Sequence, residues 1–326
     1  MKATAIAPAN IAFIKYWGKA DEALRLPLNA SLSMNLSGAN TITTTEFLPD
    51  LQKDEVSILD GDFSDKEIER IIKSLDFIRS KSNTQRFARV ATKNTFPKGA
   101  GAAASASGFA ALTVAGFAAL GVNLTEKELT IVARMGSGSA CRSIPDGFVE
   151  WKMGIDSDSS YAYSLYPHTY WDLRDVLVIV DFRMKKISTT EGQTGVKTSP
   201  FWRDRVAGIP AKMTAVKAAL KEKNFRTLGE IMEEDCLNMH RVMQTQSPPV
   251  YYWNDVTKTI MDAVVGWRKQ GLTVYFTIDA GPNIHLICEA KDEDEVVKKA
   301  RKLTGGENII VNKPARGAHL IDNHLF

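Results

Sequence analysis

Four stretches of this chain combine residue types suited to gripping anions or moving a proton. In the first, the apolar run Val274-Tyr-Phe-Thr-Ile278 ends in Asp279-Ala-Gly-Pro-Asn283. A carboxylate at the tip of a buried strand is costly unless it is paired or works as a base. An Asx turn capping the loop is the alternative. In the second, Asn10 precedes Lys15-Tyr16-Trp17-Gly18-Lys19 at the end of a strand pattern. Two ammonium groups, a phenol and a glycine there suit an anionic ligand; a plain strand end with solvated lysines has the same composition. The third, Gly136-Ser137-Gly138-Ser139-Ala140-Cys141-Arg142-Ser143, supplies hydroxyls, backbone N–H groups and a forked guanidinium for carboxylate or phosphate oxygens. A helix C-terminus turning into a loop, with Arg142 exposed, accounts for it equally.

The fourth is Pro97-Lys-Gly-Ala-Gly-Ala-Ala-Ala-Ser105-Ala-Ser107-Gly108. A glycine-rich turn feeding a helix start offers free N–H groups and a positive dipole end, which suits phosphate. It lacks the GxxxxGK[S/T] order of a Walker A loop. Gly99-x-Gly101-x-x-Ala104 fits a relaxed dinucleotide fingerprint, but the next acids, Glu126 and Glu128, fall in a capping box and not at a strand end. Small residues for close helix packing remain the plain reading. Among the histidines only His240 lies near these residues, and a structural role suits it better. Met239 and Met243 read as core, and no His, Asp and Glu residues show transition-metal spacing.

The elements that must position these residues follow from periodicity and caps. Thr4–Ile14, Thr41–Phe47, Arg86–Thr95, Gly147–Met153, Val176–Phe182, Leu272–Ile278 and Ile284–Glu289 read as strands. Capping boxes at Ser64–Glu67 and Thr125–Glu128 open helices over 65–80 and to about Gly136. The Gly/Ala/Ser segment turns helical by about Ser105. A Ser/Thr/Gly loop (188–199) leads into amphipathic helices across 200–243, Asn254 caps a helix ended by Gly271, and Asp292–Leu303 is a helix with a solvated basic end. The fold class is therefore α+β, with a larger domain over 1–183 and a smaller one over 184–326.

Composition excludes several classes. At 326 residues there is room for one large or two ordinary domains. Basic and acidic residues number 41 and 38, so neither nucleic acid nor a membrane surface is called for as a partner. Three distant cysteines, Cys141, Cys236 and Cys288, fit a reduced, cytoplasmic protein better than a disulfide framework. The opening residues carry only a broken apolar run and read as mature structure. The uncharged stretch Gly99–Thr125 is too poor in large apolar side chains for a membrane span.

Seven blocks together resemble the mevalonate 5-diphosphate decarboxylase family, of the superfamily of galactokinase, homoserine kinase, mevalonate kinase and phosphomevalonate kinase. They are Ala7-Pro-Ala-Asn-Ile-Ala12 with Lys15–Lys19, Leu26-Pro27 through Asn29-Ala-Ser-Leu-Ser33, Phe96 through Ala111, Gly136–Ser143 with Gly147-Phe-Val-Glu-Trp151, Thr198-Ser199, Ser247-Pro-Pro249, and Asp279–Asn283. They occur in the family's order over nearly the whole chain.

The resemblance implies a two-domain kinase fold, with a ribosomal protein S5 domain 2-like N-terminal domain and a ferredoxin-like C-terminal domain. It implies ATP-dependent phosphorylation of a tertiary alcohol, then loss of phosphate and CO₂ to give isopentenyl diphosphate, with ATP and Mg²⁺ as cofactors and a homodimer as the common assembly. By position, Asp279 would be the base and Lys15 a charge stabiliser. Arg142 and Asn10 would hold the substrate carboxylate. Ser105 would lie near the γ-phosphate and Mg²⁺. Gly99, Ala100, Gly101, Ala102, Ala103, Ala104 and Ser105 would cradle ATP. Tyr16, Trp17, Gly18, Lys19, Ser137, Gly138, Ser139, Ala140 and Cys141 would grip the diphosphate, with Arg70 and Thr190 as outlying contacts.

Some residues depart from the family's pattern. A loop serine is Ala104 here, Lys98 adds a charge, the usual Gly-Gly before Phe148 is Asp146-Gly147, and the usual Gly-Met is Gly192-Gln193. Asp146, four residues from Arg142, would repel a second phosphate. A mevalonate 5-phosphate decarboxylase, a kinase without decarboxylation and a metabolite-binding module on a kinase scaffold are therefore the alternatives.

Overall fold

The computed structural model describes residues 1–61, 64–97, 104–182, 187–306 and 308–326. In chain order it runs β1 (Lys2–Ile14), β2 (Lys19–Asp21), β3 (Leu26–Pro27), β4 (Ser31–Leu48), β5 (Glu55–Ile58), α1 (Asp65–Ser82), β6 (Phe87–Asn94), α2 (Ala104–Ala119), α3 (Glu126–Gly136), a 3-10 turn at Gly138–Ser143, β7 (Phe148–Trp151) and β8 (Ala162–Tyr166). Then come β9 (Leu173–Val178), α4 (Thr189–Gly192), a 3-10 turn at Val196–Thr198, α5 (Trp202–Glu222), α6 (Phe225–Thr245), α7 (Asp255–Lys269), β10 (Val274–Thr277), β11 (Ile284–Glu289), α8 (Glu293–Thr304), β12 (Ile309–Asn312) and β13 (His319–Ile321).

The larger sheet is ordered β13-β1-β4-β6-β5, with β7 beside the first part of β4 and β8 beside β7. Helix α2 lies against β1 and β4. Its small residues are there for contact. A Cβ on Gly116 would come within 2.8 Å of Ile78 of α1, and on the neighbouring α3 one on Gly136 would come within 2.3 Å of Phe109 of α2. No helix among the described residues is long and apolar enough to cross a membrane.

The smaller sheet is ordered β10-β11-β9-β12, antiparallel throughout. Strand β9 therefore leaves the first sheet ahead of the expected division at 183, and β13 returns to it after β12. The strand also stops at Val178, short of the expected Phe182, because the Asn283 side-chain oxygen takes the N–H groups of Val180 and Asp181. Both predicted capping boxes close: Ser64 N–H donates to Glu67, and Thr125 and Glu128 cap each other. The 188–199 loop holds two short helical turns. Its Ser188-x-x-Glu191 is itself a capping box, a signal present in the sequence.

The largest core cluster joins the two halves. Ile11, Phe13 and Leu32 of the first pack with Leu177, Ile209, Met232 and Tyr275 of the second. This shared core holds the end of β1 against α5 and α6, the joint on which the site is built.

Candidate active site

Strand β1 carries two of the candidate residues, and its irregularities aim them. Its register with β4 shifts between Pro8 and Ala9 and again between Ala12 and Ile14, bracketing Asn10 and leading into Lys15. Such bulges re-aim side chains beside functional sites. Lys15 is sealed, its side chain 2% exposed, and its ammonium sits 2.5 Å from Asp279 Oδ1. Asp279 leaves the tip of β10 and keeps 31% of its side chain exposed, so the pair is closed on the lysine side and open on the carboxylate side. Burial disfavours the charged carboxylate. The Lys15 ammonium outweighs it, aided by His285 and Arg142, and holds the Asp279 carboxyl below the usual range.

Arg142 lies on the 3-10 turn Gly138–Ser143, fully buried. Its Nη1 donates to Ser31 Oγ at 2.7 Å, and its Nη2 and Nε donate to Asn10 Oδ1 at 3.1 and 3.3 Å. Asn10 Nδ2 in turn donates to Ser143 Oγ and the Ser139 carbonyl. Among the described residues no carboxylate forms an ion pair with Arg142, and burial lowers its pKa. A buried guanidinium held by neutral acceptors is a strong attractor for an incoming anion. Ser31, the third member of this cradle, lies in a quoted family block but was not among the expected site residues.

The third and fourth motifs meet. Ser105 Oγ, exposed in the first turn of α2, lies 3.3 Å from Ser137 Oγ, and that first turn bears no acidic residue. Gly138 is required by contact: a Cβ there would stand 3.0 Å from the Tyr16 ring and 3.2 Å from Trp151. Burial pushes the Tyr16 phenol well up, so it stays a neutral donor. Cys141 donates to the Gly138 carbonyl, and burial pushes its thiol up to about 12, which excludes a thiolate nucleophile. Ala140 is buried beside it. Arg70 reaches the same turn, donating to the Gly136 carbonyl at 3.1 Å over the Phe109 ring.

Lys19 pairs with the exposed Glu22 at 2.5 Å. Gly18 has φ +91, and a Cβ there would press on Leu28 and Val196. The Trp17 ring is 2% exposed and packs in an apolar cluster with Met239 and Tyr252. It also meets α4 at Gly192. Thr190 lies exposed on that short helix. Ala104 begins α2, whereas Lys98 and Gly99, Ala100, Gly101, Ala102 and Ala103 lie outside the described residues.

Other singled-out residues find plain roles. His240 is buried, pressed on Trp253 at 4.4 Å and bonded to the Ile278 carbonyl. The Asp146 carboxylate is engaged by His168 at 2.9 Å and acts on Glu126, at the opposite end of α3 from Gly136. Gln193 is the buried C-cap of α4. One feature was not foreseen. Asp235 and Arg205, both buried, grip the backbone of Lys15.

Residues 7–162 match the family described as Diphosphomevalonate decarboxylase-like N-terminal domain, and residues 176–318 that described as Mevalonate 5-diphosphate decarboxylase C-terminal domain. The chain is 34% identical to the diphosphomevalonate decarboxylase of Ganoderma lucidum, over 91% of this chain and 80% of that protein. It is 36% identical to the human enzyme of that name, over 86% and 75%. Among solved structures it is similar to the Staphylococcus aureus mevalonate diphosphate decarboxylase, with TM-score 0.94, 36% identity and 98% of each chain covered. It is also similar to MDDEF in complex with MVAPP, AMPPCP and magnesium, with TM-score 0.94, 34% identity and 99% of each chain covered.

Proposed function

The chain belongs to the mevalonate 5-diphosphate decarboxylase family, and on that premise we propose how its own residues divide the work. The reaction is ATP-dependent decarboxylation of mevalonate 5-diphosphate to isopentenyl diphosphate, with ADP, phosphate and CO₂ released. The observation that carries the assignment of roles is the Lys15–Asp279 pair set beside an Arg142 that forms no ion pair with a carboxylate among the described residues.

Asp279 accepts the proton of the substrate's 3-hydroxyl as its oxygen attacks the γ-phosphorus of ATP. Lys15 keeps that carboxylate ionised and meets the charge that gathers on the transferring phosphoryl group. Arg142, spread flat by Asn10 and Ser31, takes the substrate carboxylate in its fork. Held there, the C–CO₂ bond lies in line with the departing phosphate, which is the positioning on which such eliminations depend. Ser137, Ser139, Tyr16, Lys19 and Arg70 receive the diphosphate, and the start of α2 with Ser105 receives the nucleotide phosphates.

Among the described residues no three His, Cys, Asp or Glu side chains gather as a metal cage. This fits Mg²⁺, which keeps water and phosphate oxygens as ligands and needs only a hydroxyl or a carboxylate from the protein, here Ser105. When bound it neutralises phosphate charge. A homodimer is proposed from the family resemblance, and a cytoplasmic setting is supported by the three buried free thiols; light scattering and fractionation test the two.

Carboxyl-labelled mevalonate supplied as the 5-diphosphate and the 5-phosphate tests the substrate. The engagement of Asp146 by His168 favours the diphosphate, so CO₂ release from the diphosphate alone is expected. Release mainly from the monophosphate would overturn that reading.

A further inference from the structure

We propose that α6 is a splint that sets the separation of Lys15 and Asp279, with Asp235, Arg205, Cys236 and His240 as positioning residues. The inference rests on the site reading above, in which Lys15 and Asp279 are the reacting pair.

Two consecutive residues of α6 and a third one turn on grip the backbone of Lys15 and of Ile278, the residue before Asp279. Asp235 Oδ2 accepts the Lys15 N–H at 2.8 Å, and Arg205 Nη2 donates to the Lys15 carbonyl at 3.0 Å. Both polar groups of Lys15's backbone are thus held by one ion pair from the other half of the molecule. That pair is itself bidentate, Nη1 to Oδ1 at 2.9 Å and Nη2 to Oδ2 at 3.0 Å, and Arg205 is further fixed by Asn238. Next along the helix, the Cys236 sulfur accepts the Ile278 N–H at 3.2 Å. His240 Nε2 donates to the Ile278 carbonyl at 3.3 Å. Ile278 immediately precedes Asp279. Lys15 and the residue before Asp279 are therefore pinned to α6 over about 7–8 Å of its length, the Lys15 carbonyl by way of Arg205 of α5.

A buried ion pair is weak evidence for stability, since well-packed apolar residues often serve as well. Its outward bonds, aimed at the residue whose ammonium pairs with Asp279, are what a positioning role requires. Sites held on helices keep reacting groups to within about 0.5 Å, and a misplacement of about 1 Å costs on the order of 100-fold in rate. Asp279 is faced by Lys15 from the end of β1, His285 from β11, Arg142 from the 3-10 turn and His240 from α6. His240 is neutral because burial pulls its pKa to about 3. When the lysine is displaced, burial is opposed only by His285 and Arg142, and the carboxyl titrates higher.

The test is Asp235→Asn alone, Lys15→Met alone and the two combined, measured for kcat, both KM values and the pH dependence of kcat. Asp235→Asn keeps an oxygen for the Lys15 N–H but loses the bidentate pair. It is expected to lower kcat on the order of 100-fold with KM little changed. The acid limb should move to higher pH. In the Lys15→Met background it should cost no more than about twofold, since no ammonium remains to be aimed. If Asp235→Asn fails to fold, Arg205→Lys, which keeps the charge but loses the fork that reaches both Asp235 and the Lys15 carbonyl, carries the same expectations. A full independent loss in the Lys15→Met background, a loss confined to KM or an unmoved acid limb would overturn the splint. Wild-type turnover by Lys15→Met alone would instead overturn the assignment of the reacting pair.

Discussion

The Arg142 cradle and the Lys15–Asp279 pair are built in opposite ways. Arg142, Asn10, Ser31 and Ser143 all belong to the first half, held by a 3-10 turn and two neighbouring strands, and their bonds run between side chains apart from the one from Asn10 to the Ser139 carbonyl. Lys15 and Asp279 come from different halves, separated by 264 positions, and each is held through its backbone or its neighbour's by α6. The cradle's hydrogen bonds draw on no side chain of the second half. The reacting pair exists only while the joint holds. On the proposed roles, recognition and chemistry are separable in this molecule, and substitutions should sort by which of the two they touch.

The sharpest break lies on the chemical side. Asp279→Ala should lower kcat by about 10³- to 10⁴-fold, with ADP and CO₂ lost together and nucleotide binding retained. Rapid-quench analysis of both products checks this, and ADP formation without CO₂ would shift Asp279 away from phosphoryl transfer. On the recognition side Arg142→Lys keeps the charge and loses the fork, so activity should fall roughly 10- to 100-fold. A profile unchanged in kcat/KM would mean the carboxylate docks elsewhere.

A smaller effect separates fold from chemistry at α6. His240 is protonated more readily in the unfolded chain than in the fold, where burial holds its pKa near 3. The unfolded state therefore binds the extra proton as pH falls below about 6.5, and stability is lost on the order of 1 kcal/mol per pH unit through that range. Denaturant unfolding at pH 7 and pH 5 should show this loss, and His240→Gln should shrink it. The smallest effect is expected at Asp146. Its carboxylate is spoken for by His168, so Asp146→Asn should leave the preference between diphosphate and monophosphate within about twofold, as exposed pairs contribute little.

Much of this was legible in the sequence because it was local. Capping boxes, the Asn254 cap and the buried alanine helix each sit within one window of chain, and the structure places them within a few residues of expectation. The four chemical motifs were legible as residue types, and the family resemblance supplied their grouping. The α6 contacts were not legible. Asp235 reads as one more charge on an amphipathic helix, and its bond to Lys15 spans 220 positions, which no local period records. Short strands such as β5, β12 and β13 were missed for a related reason. They are half-exposed edge pieces whose pairing, not their composition, makes them strands. The division at 183 was drawn from composition, whereas hydrogen bonding hands β9 to the second sheet.

The most direct test of a reacting pair assembled across the joint is a carboxyl-carbon NMR titration of Asp279 in the wild-type enzyme and in Lys15→Met, with the resonance assigned by its loss in Asp279→Ala. In the wild type the carboxyl should titrate below the ordinary aspartate value of about 3.9, and without the ammonium it should rise, because burial is the largest influence and only His285 and Arg142 then oppose it. The same titration in both proteins would contradict the pairing on which the account rests.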